Sequence, residues 1–290
     1  MPPVDLPRAW AHGVWHGLAG HSMRKVFKRF VGVDLGGGKG KKTSLALLEL
    51  EKRGVVVATL LPRPKEAPLY DDALVSLLRS LAGESLLCMD APLSLPPCLT
   101  CRVPVCPGQA ACVDPEVELM RKLLVTAEPK SRDCRRGKPH LTPYTQRATD
   151  VYLHQAAGII PRETLGQAMG PVTSRAIHLR RCLADCFQLE DNLIEVLPRA
   201  TLNSLGQRQP YKKNVDRRLD ILEALTDLTF APGVWREACR QSDHLFDAVI
   251  CAYTGYLRQR DDWPLDERVI LQGNAMGWIW FPPITVPPAA

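Results

Sequence analysis

The stretch FVGVDLGGGKGKKTSLALLEL, residues 30–50, contains an apolar run broken by Asp34, a glycine- and lysine-rich segment and a second apolar run. Apolar runs of this length that are separated by glycines predict two β-strands joined by a turn. The segment VVVATLL, residues 55–61, follows the short turn EKRG and predicts a third strand. We therefore expect a meander of three strands, with Asp34 at or near the end of the first.

The segments that follow predict how the chain leaves the meander. Apolar residues with helical spacing between residues 73 and 81, followed by Gly83, predict a helix. The segment SLLCMDAP, residues 85–92, then predicts a short buried strand. A helix that returns the chain to a strand beside the first is a crossover connection. The sequence therefore predicts an α/β fold with a mixed sheet flanked by helices.

A proline- and cysteine-rich segment begins after this strand and predicts an insertion. Three helices are predicted in it, near residues 114–125, 143–157 and 173–188. Beyond it one strand and two helices are predicted, at residues 192–198, 214–225 and 234–257. We expect one domain over residues 29–290, with a Cys-rich helical insertion at about residues 93–190. Residues 1–28 are predicted to be an extension, either a disordered arm or a mis-called start, since Met23 opens MRKVFKRFVGVD.

Composition excludes several classes of protein. Among the 290 residues 46% are hydrophobic, which suits a globular protein. The chain has 37 Lys and Arg residues against 31 Asp and Glu residues, a net charge of +6. This positive charge permits nucleic-acid binding but does not by itself indicate it. No apolar run approaches the ~20 residues that cross a bilayer. His12, His16 and His21 interrupt the stretch where a secretory signal would be continuous, so we expect a cytoplasmic protein.

Four carboxylates stand at positions where chemistry could use them. Asp34 and Asp90 lie at the ends of predicted strands, and Glu195 lies inside one. Asp247 lies on the last long helix. Carboxylates are costly to bury, so several that converge predict a bound cation. Mg²⁺ or Mn²⁺ prefers such oxygen ligands, and two ions about 4 Å apart can activate water and stabilise the leaving oxygen of a phosphodiester.

Each acid also has a purely structural interpretation. The two strand-end aspartates could simply form turns. Glu195 could pair with Arg147 or Arg199, and Asp247 could face solvent on its helix.

The last helix favours the metal-site interpretation. His244 and Asp247 are three residues apart and therefore lie near one face of the helix. Ala248, Ala252 and Gly255 form a neighbouring stripe of small side chains. Such a stripe lets a helix approach a sheet closely, which would bring Asp247 near the first strand. His244 is then a candidate metal ligand or general base.

These elements in this order resemble the ribonuclease H fold. More narrowly, the segments VGVDLGG, CMDAPLSLP, IEVLPRA, HLFDAVICAYTGYL and GWIWFP resemble successive motifs of the family of proteins of unknown function numbered 429, predicted nucleases of that fold. The resemblance covers about residues 30–282. It implies a ribonuclease H-like mixed sheet and an enzyme that hydrolyses phosphodiester bonds of DNA or RNA. It also implies a set of metal-binding acids, namely Asp34, Asp90, Glu195 and Asp247.

Two further resemblances concern single motifs. The run containing His244 and Asp247 resembles the terminal helix of Holliday-junction resolvases, in which histidine and aspartate serve the metal site. The segment QRATD, with Arg147 and Asp150, resembles an Arg-and-Asp motif of family 429.

The loop GGGKGKKT, residues 36–43, has two interpretations. It is not a Walker P-loop, because a lysine and not a glycine precedes Lys42. It resembles the first phosphate loop of actin-like ATPases and sugar kinases, but no second such loop follows, so an ATPase or kinase is an alternative. In a nuclease, Lys39, Lys41 and Lys42 would contact nucleic-acid phosphates; they could also form a solvated turn. A further alternative is a catalytically silent metal-binding module that binds nucleic acid.

Ten cysteines in a reducing compartment argue against a disulfide framework. Cys98, Cys101, Cys106 and Cys112 follow the spacing Cys-x2-Cys-x4-Cys-x5-Cys. Thiolates clustered in this way can bind one Zn²⁺ ion or an iron–sulfur cluster. Zn²⁺, a 4Fe–4S cluster and plain reduced thiols are all left open by this spacing.

Overall fold

The computed structural model describes residues 25–37, 42–62, 67–125, 141–160, 162–234, 236–263, 270–271, 274–275 and 277–283. The strands are β1 (Arg29–Asp34), β2 (Ser44–Glu51), β3 (Gly54–Leu61), β4 (Ser85–Asp90), β5 (Leu193–Val196), β6 (Leu228–Phe230), β7 (Ile270–Leu271), β8 (Asn274–Ala275) and β9 (Ile279–Trp280). The helices are α1 (Asp71–Leu81), α2 (Pro97–Thr100), α3 (Pro115–Val125), α4 (Ala148–Ala157), α5 (Gly170–Cys182), α6 (Pro198–Ser204), α7 (Val215–Ala224), α8 (Arg236–Gln241) and α9 (Asp243–Arg260).

Seven strands form one mixed sheet in the order β6-β3-β2-β1-β4-β5-β9. Strand β2 is antiparallel to both β1 and β3, which confirms the predicted meander. Helix α1 then returns the chain so that β4 lies parallel to β1, with Asp34 opposite Asp90. The predicted α/β fold, a mixed sheet flanked by helices, is confirmed. Strands β7 and β8 pair separately as an antiparallel ribbon.

The two faces of the sheet pack against different helices. Successive residues of a strand point to opposite faces. Phe30 of β1 belongs to the core formed with α9, whereas Val31 belongs to the core formed with α1 and α5. By this alternation Asp34, four residues after Phe30, lies on the α9 face.

Helix α9 approaches the sheet unusually closely because both surfaces carry small residues. A Cβ atom on Gly32 would lie 1.9 Å from the carbonyl oxygen of Ala248 and 3.0 Å from the Cβ of Ala252. A Cβ atom on Gly255 would lie 2.4 Å from the sulfur of Cys88. The stripe of small residues predicted on this helix is thus confirmed as its contact surface with β1 and β4.

The single helix predicted for residues 234–257 is wrong, because the structure divides it into α8 and α9. The break lies at Ser242, whose hydroxyl accepts a hydrogen bond of 3.3 Å from the amide of Leu245. Serine is a favoured N-cap because its oxygen satisfies an amide that has no partner within the helix. This cap fixes where α9 begins and therefore which residues lie in its first turn.

The chain between β4 and β5 contains α2, α3, α4 and α5. Helices α3 and α4 share a small core of their own. In contrast, Ala176 and Leu179 of α5 pack with the sheet. The predicted insertion is therefore docked on the sheet through its last helix.

The described chain begins at residue 25, inside the predicted extension of residues 1–28. Phe27 is buried, and its amide and carbonyl bond the side chain of Gln259 at 2.7 and 3.0 Å. Residues 25–28 therefore contact the sheet domain, whereas residues 1–24 lie outside the described residues. Within the described parts of the chain, none of the helices is both long enough and apolar enough to span a bilayer.

Candidate active site

Three of the four predicted acids lie on one face at one edge of the sheet. Strands β1 and β4 are parallel, so their last residues, Asp34 and Asp90, meet at the same edge. Both side chains point toward α9 by the alternation of each strand. The close approach of α9 at Gly32 brings Asp247 to the same place. The sequence predicted that four acids converge, and the structure brings these three of them together.

The electrostatics of the three acids confirm that they are neighbours. Burial raises the pKa of Asp90 well above its usual value, and the charges of Asp34 and Asp247 raise this pKa further. Burial likewise raises the pKa of Asp247 to about 6, with Lys212 opposing and Asp34 reinforcing the change. Like charges in a partly desolvated site repel one another, so full ionisation is costly without a cation.

His244 joins this group from the first turn of α9. Its Nδ1 donates to Oδ2 of Asp34 at 2.6 Å. This hydrogen bond raises the pKa of the imidazole, because the carboxylate stabilises the protonated ring. The side chain of His244 is partly exposed, so the ring connects the acidic group with solvent.

Two residues of the loop between α6 and α7 complete the group, and the sequence did not indicate either of them. The hydroxyl of Tyr211 donates to Oδ1 of Asp247 at 2.7 Å. The ammonium of Lys212 lies 3.1 Å from Oδ2 of Asp247. Burial lowers the pKa of Lys212, but the charges of the three acids outweigh burial and raise it overall. The segment PYKKN has no pattern that distinguishes it from an ordinary solvated loop.

Glu195 is the predicted acid that the structure does not bring to this group. Its neighbours Ile194 and Val196 face α9, so Glu195 points to the other face of the sheet. Its two oxygens accept hydrogen bonds of 2.8 and 2.7 Å from the guanidinium of Arg147. The pairing with Arg147, one of the two structural interpretations, is therefore present.

Arg147 is the centre of a buried ionic network. It is 1% exposed and also bonds both oxygens of Asp150, at 2.8 and 3.2 Å. The amide of Leu93 donates to Glu195 at 2.8 Å. The network thus ties α4 and the loop after β4 to strand β5. Glu195 holds the insertion in place and is left out of the acidic group.

The sequence profile of a family described as protein of unknown function (DUF429) matches residues 32–266 of the chain. The chain belongs to the DUF429 family. Neither curated proteins nor solved structures give a match to this chain. The matched residues include all four predicted acids and His244, so the whole acidic group of this DUF429 protein lies inside the family's domain.

The glycine-rich loop of this DUF429 protein is described only at its two ends. Lys39 and Lys41 lie outside the described residues, and Lys42 is exposed. The guanidinium of Arg175 donates to the carbonyl of Gly36 at 2.7 Å and to the hydroxyl of Thr43 at 2.6 Å. Arg175 of α5 therefore fixes the base of the loop directly after Asp34.

The four clustered cysteines lie in the segment around α2 and before α3. Burial raises the pKa of the Cys98 thiol, and the nearby Cys106, Cys112 and Cys101 raise it further. The amide of Val103 donates to the sulfur of Cys101 at 3.5 Å. The side chain of Arg121 holds the segment by bonding three of its backbone carbonyls, those of Gln109, Ala110 and Cys112. The four thiols are thus close enough to influence one another.

In the described residues, neither the acidic group nor the four clustered cysteines have the ligand arrangement of a metal site. Among the residues that the structure describes, no three His, Cys, Asp or Glu side chains are arranged as the ligands of one ion. Asp34 instead bonds His244, and Asp247 bonds Tyr211 and Lys212. The donor chemistry nevertheless fits: carboxylate oxygens suit a hard divalent ion, and thiolates suit Zn²⁺ or an iron–sulfur cluster.

Proposed function

We propose that this DUF429 protein is a divalent-metal-dependent nuclease that hydrolyses phosphodiester bonds of nucleic acid. The observation that supports this most strongly is the convergence of Asp34, Asp90 and Asp247 at one edge of the sheet. Three carboxylates that repel one another at a partly buried site are stabilised by a cation with a high charge density. Mg²⁺ or Mn²⁺ would satisfy this requirement.

The architecture supports a ribonuclease H-like fold as part of the proposal. A three-stranded meander, a crossover helix, further parallel strands and a late helix carrying an acid follow one another in the chain. These are the elements, in the order, that the resemblance to that fold implies. Fold alone does not establish chemistry, so the proposal depends on the acidic group.

Each residue of the group has a role in the proposed reaction. Asp34 and Asp90 would hold the divalent ion, since their carboxylates end adjacent parallel strands. A bound divalent ion would polarise a phosphoryl oxygen and make a water molecule more acidic. His244, whose Nδ1 is held by Asp34, would exchange a proton with the attacking water or the leaving oxygen through Nε2. Asp247 would orient Lys212 through its carboxylate.

The proposal also covers how the enzyme contacts nucleic acid and where in the cell it acts. The lysines of the glycine-rich loop, of which Lys42 is exposed, would contact the phosphates of DNA or RNA. We propose that the enzyme acts in the cytoplasm, where its nine described cysteines would stay reduced.

The test is cleavage by the purified protein in Mn²⁺. Labelled single strands, duplexes, RNA–DNA hybrids and branched junctions would each be incubated with the wild type and with Asp90→Asn. We expect cleavage of at least one substrate by the wild type, and a loss of at least about 100-fold in Asp90→Asn with nucleic-acid binding retained. Asp243→Asn, a change near the site but outside the acidic group, should cleave like the wild type.

Two results would contradict the proposal. If all four substrates stay intact while nucleic acid and Mn²⁺ both bind, the protein is a catalytically silent binding module. If Asp90→Asn cleaves as fast as the wild type, the activity comes from elsewhere in the preparation.

A further inference from the structure

We propose that Lys212 takes the place of a second metal ion, so that the site holds one divalent ion and presents the lysine ammonium to the substrate phosphate. This inference rests on the proposed nuclease function and replaces the two-ion site expected from the sequence with a site for one ion. It assigns a substrate-contacting role to a residue that lies outside the set of acids.

The contacts of Asp247 are the first reason. Oδ1 of Asp247 accepts from the hydroxyl of Tyr211 at 2.7 Å, and its Oδ2 lies 3.1 Å from the ammonium of Lys212. Both oxygens of this carboxylate therefore already have a proton donor. A second divalent ion on Asp247 would share these oxygens with a phenol and an ammonium, and the ammonium already supplies a positive charge there. An ion between Asp34 and Asp90 would meet no such cation.

The anchoring of Lys212 is the second reason. The ring of Tyr211 is 2% exposed and packs against Phe246 with ring centres 5.0 Å apart. The guanidinium of Arg218, a residue only 3% exposed, donates to the carbonyls of Tyr211 and Lys212 at 2.9 and 3.0 Å. Arg218 thus fixes the backbone of Lys212 from the protein interior. The side chain of Lys212 is 62% exposed, so a substrate phosphate can approach it from solvent.

The charge of the site is the third reason. When all three carboxylates are ionised they contribute −3, and Lys212 contributes +1, which leaves −2 beside a neutral His244. One divalent ion neutralises this charge, and a second would leave +2. A lysine that is fixed beside the metal ligands supplies positive charge to a phosphate as a point donor.

The experiment counts Mn²⁺ ions bound to each chain by native mass spectrometry and measures their affinity by calorimetry at pH 7.5. The wild type should bind one ion with measurable affinity. Lys212→Gln removes one positive charge from beside the carboxylates, so it should bind Mn²⁺ at least about tenfold more tightly or take up a second ion. It should also cleave at least about 100-fold more slowly.

Two further variants separate charge from structure. Lys212→Arg keeps the positive charge and should keep one ion per chain. Lys213→Gln changes the adjacent exposed lysine by the same chemistry and should match the wild type in both metal count and cleavage.

Three results would overturn the inference. Two ions bound to the wild type would refute it and leave the nuclease proposal standing. Metal affinity and cleavage in Lys212→Gln equal to those of the wild type would do the same. A wild type that binds no Mn²⁺ would overturn both this inference and the proposed function.

Discussion

Replacing Asp247 by asparagine should stabilise the metal-free protein at neutral pH. The carboxylate is buried, and its pKa is raised to about 6 although Lys212 lies beside it. Asparagine has nearly the same shape and keeps an oxygen that can accept the hydrogen bond from Tyr211. The variant therefore removes the cost of ionising a buried acid while it retains most of the packing.

The size of the effect follows from the pKa. The ordinary pKa of aspartate is 3.8, so the folded value of about 6 lies about two pH units higher. At 1.36 kcal/mol per unit, the ionised carboxylate costs the folded state about 3 kcal/mol at pH 7.5. Because the folded pKa is raised, this group makes the wild type less stable as the pH rises from about 4 to about 6. The gain in Asp247→Asn should therefore be only about 1 kcal/mol at pH 4.5.

The assay is urea unfolding with a metal chelator at pH 4.5 and pH 7.5, from which the free energy of unfolding is obtained. Asp243→Asn is the matched control, because it makes the same chemical change four residues earlier in the first turn of α9. A negative charge there favours the helix, so this control should lose up to about 1 kcal/mol.

The reasoning is refuted if Asp247→Asn lowers the free energy of unfolding at pH 7.5. It is refuted equally if the variant shows the same change at both pH values, because the gain must grow as the wild-type carboxylate ionises.

Three further predictions concern the helix contact, the ionic network and the cysteines. Gly32→Ala should lower the free energy of unfolding by at least about 3 kcal/mol, since its Cβ would lie 1.9 Å from a backbone oxygen of α9. Glu195→Gln should cost about 3 kcal/mol, because it removes a counter-charge from buried Arg147, while Mn²⁺ affinity stays unchanged. The protein purified without oxygen should contain zinc or iron by elemental analysis, and the double variant Cys98→Ser, Cys112→Ser should lose it.

Each of these predictions has a control or a contradicting result. Gly37→Ala should be nearly neutral, because its Cβ would lie 3.5 Å from Val172, an ordinary contact. A Glu195→Gln variant that no longer binds Mn²⁺ would make Glu195 a ligand after all. Cys186→Ser should keep the metal; a preparation without zinc or iron would show that the cysteines are plain thiols.

The acids that the sequence located correctly are those whose positions depend on local patterns. Asp34 and Asp90 end apolar runs, and the runs determine where each strand ends. The small residues that follow Asp247 on the helix are visible in the sequence, and they determine how closely α9 packs. The strand ends and the stripe of small residues were therefore enough to predict that these three side chains lie close together.

The remaining features depend on contacts that no local pattern reports. Strand β5 is buried on both faces, so its apolar run shows no alternation from which the face of Glu195 could be read. Tyr211 reaches Asp247 from a loop 36 residues away in the chain. Strand β6 has only three residues and escapes detection by periodicity. Tertiary packing alone determines these positions.

The central claim is that the acids at positions 34, 90 and 247 form one acidic group, in which Asp34 and Asp90 hold a divalent cation. Calorimetric titration of the wild type with Mn²⁺ at pH 7.5, beside Asp90→Asn, tests it most directly. The wild type should give a saturable binding heat, and Asp90→Asn should bind at least about tenfold more weakly. A wild type without binding heat, or a variant that binds Mn²⁺ as tightly, would contradict the claim.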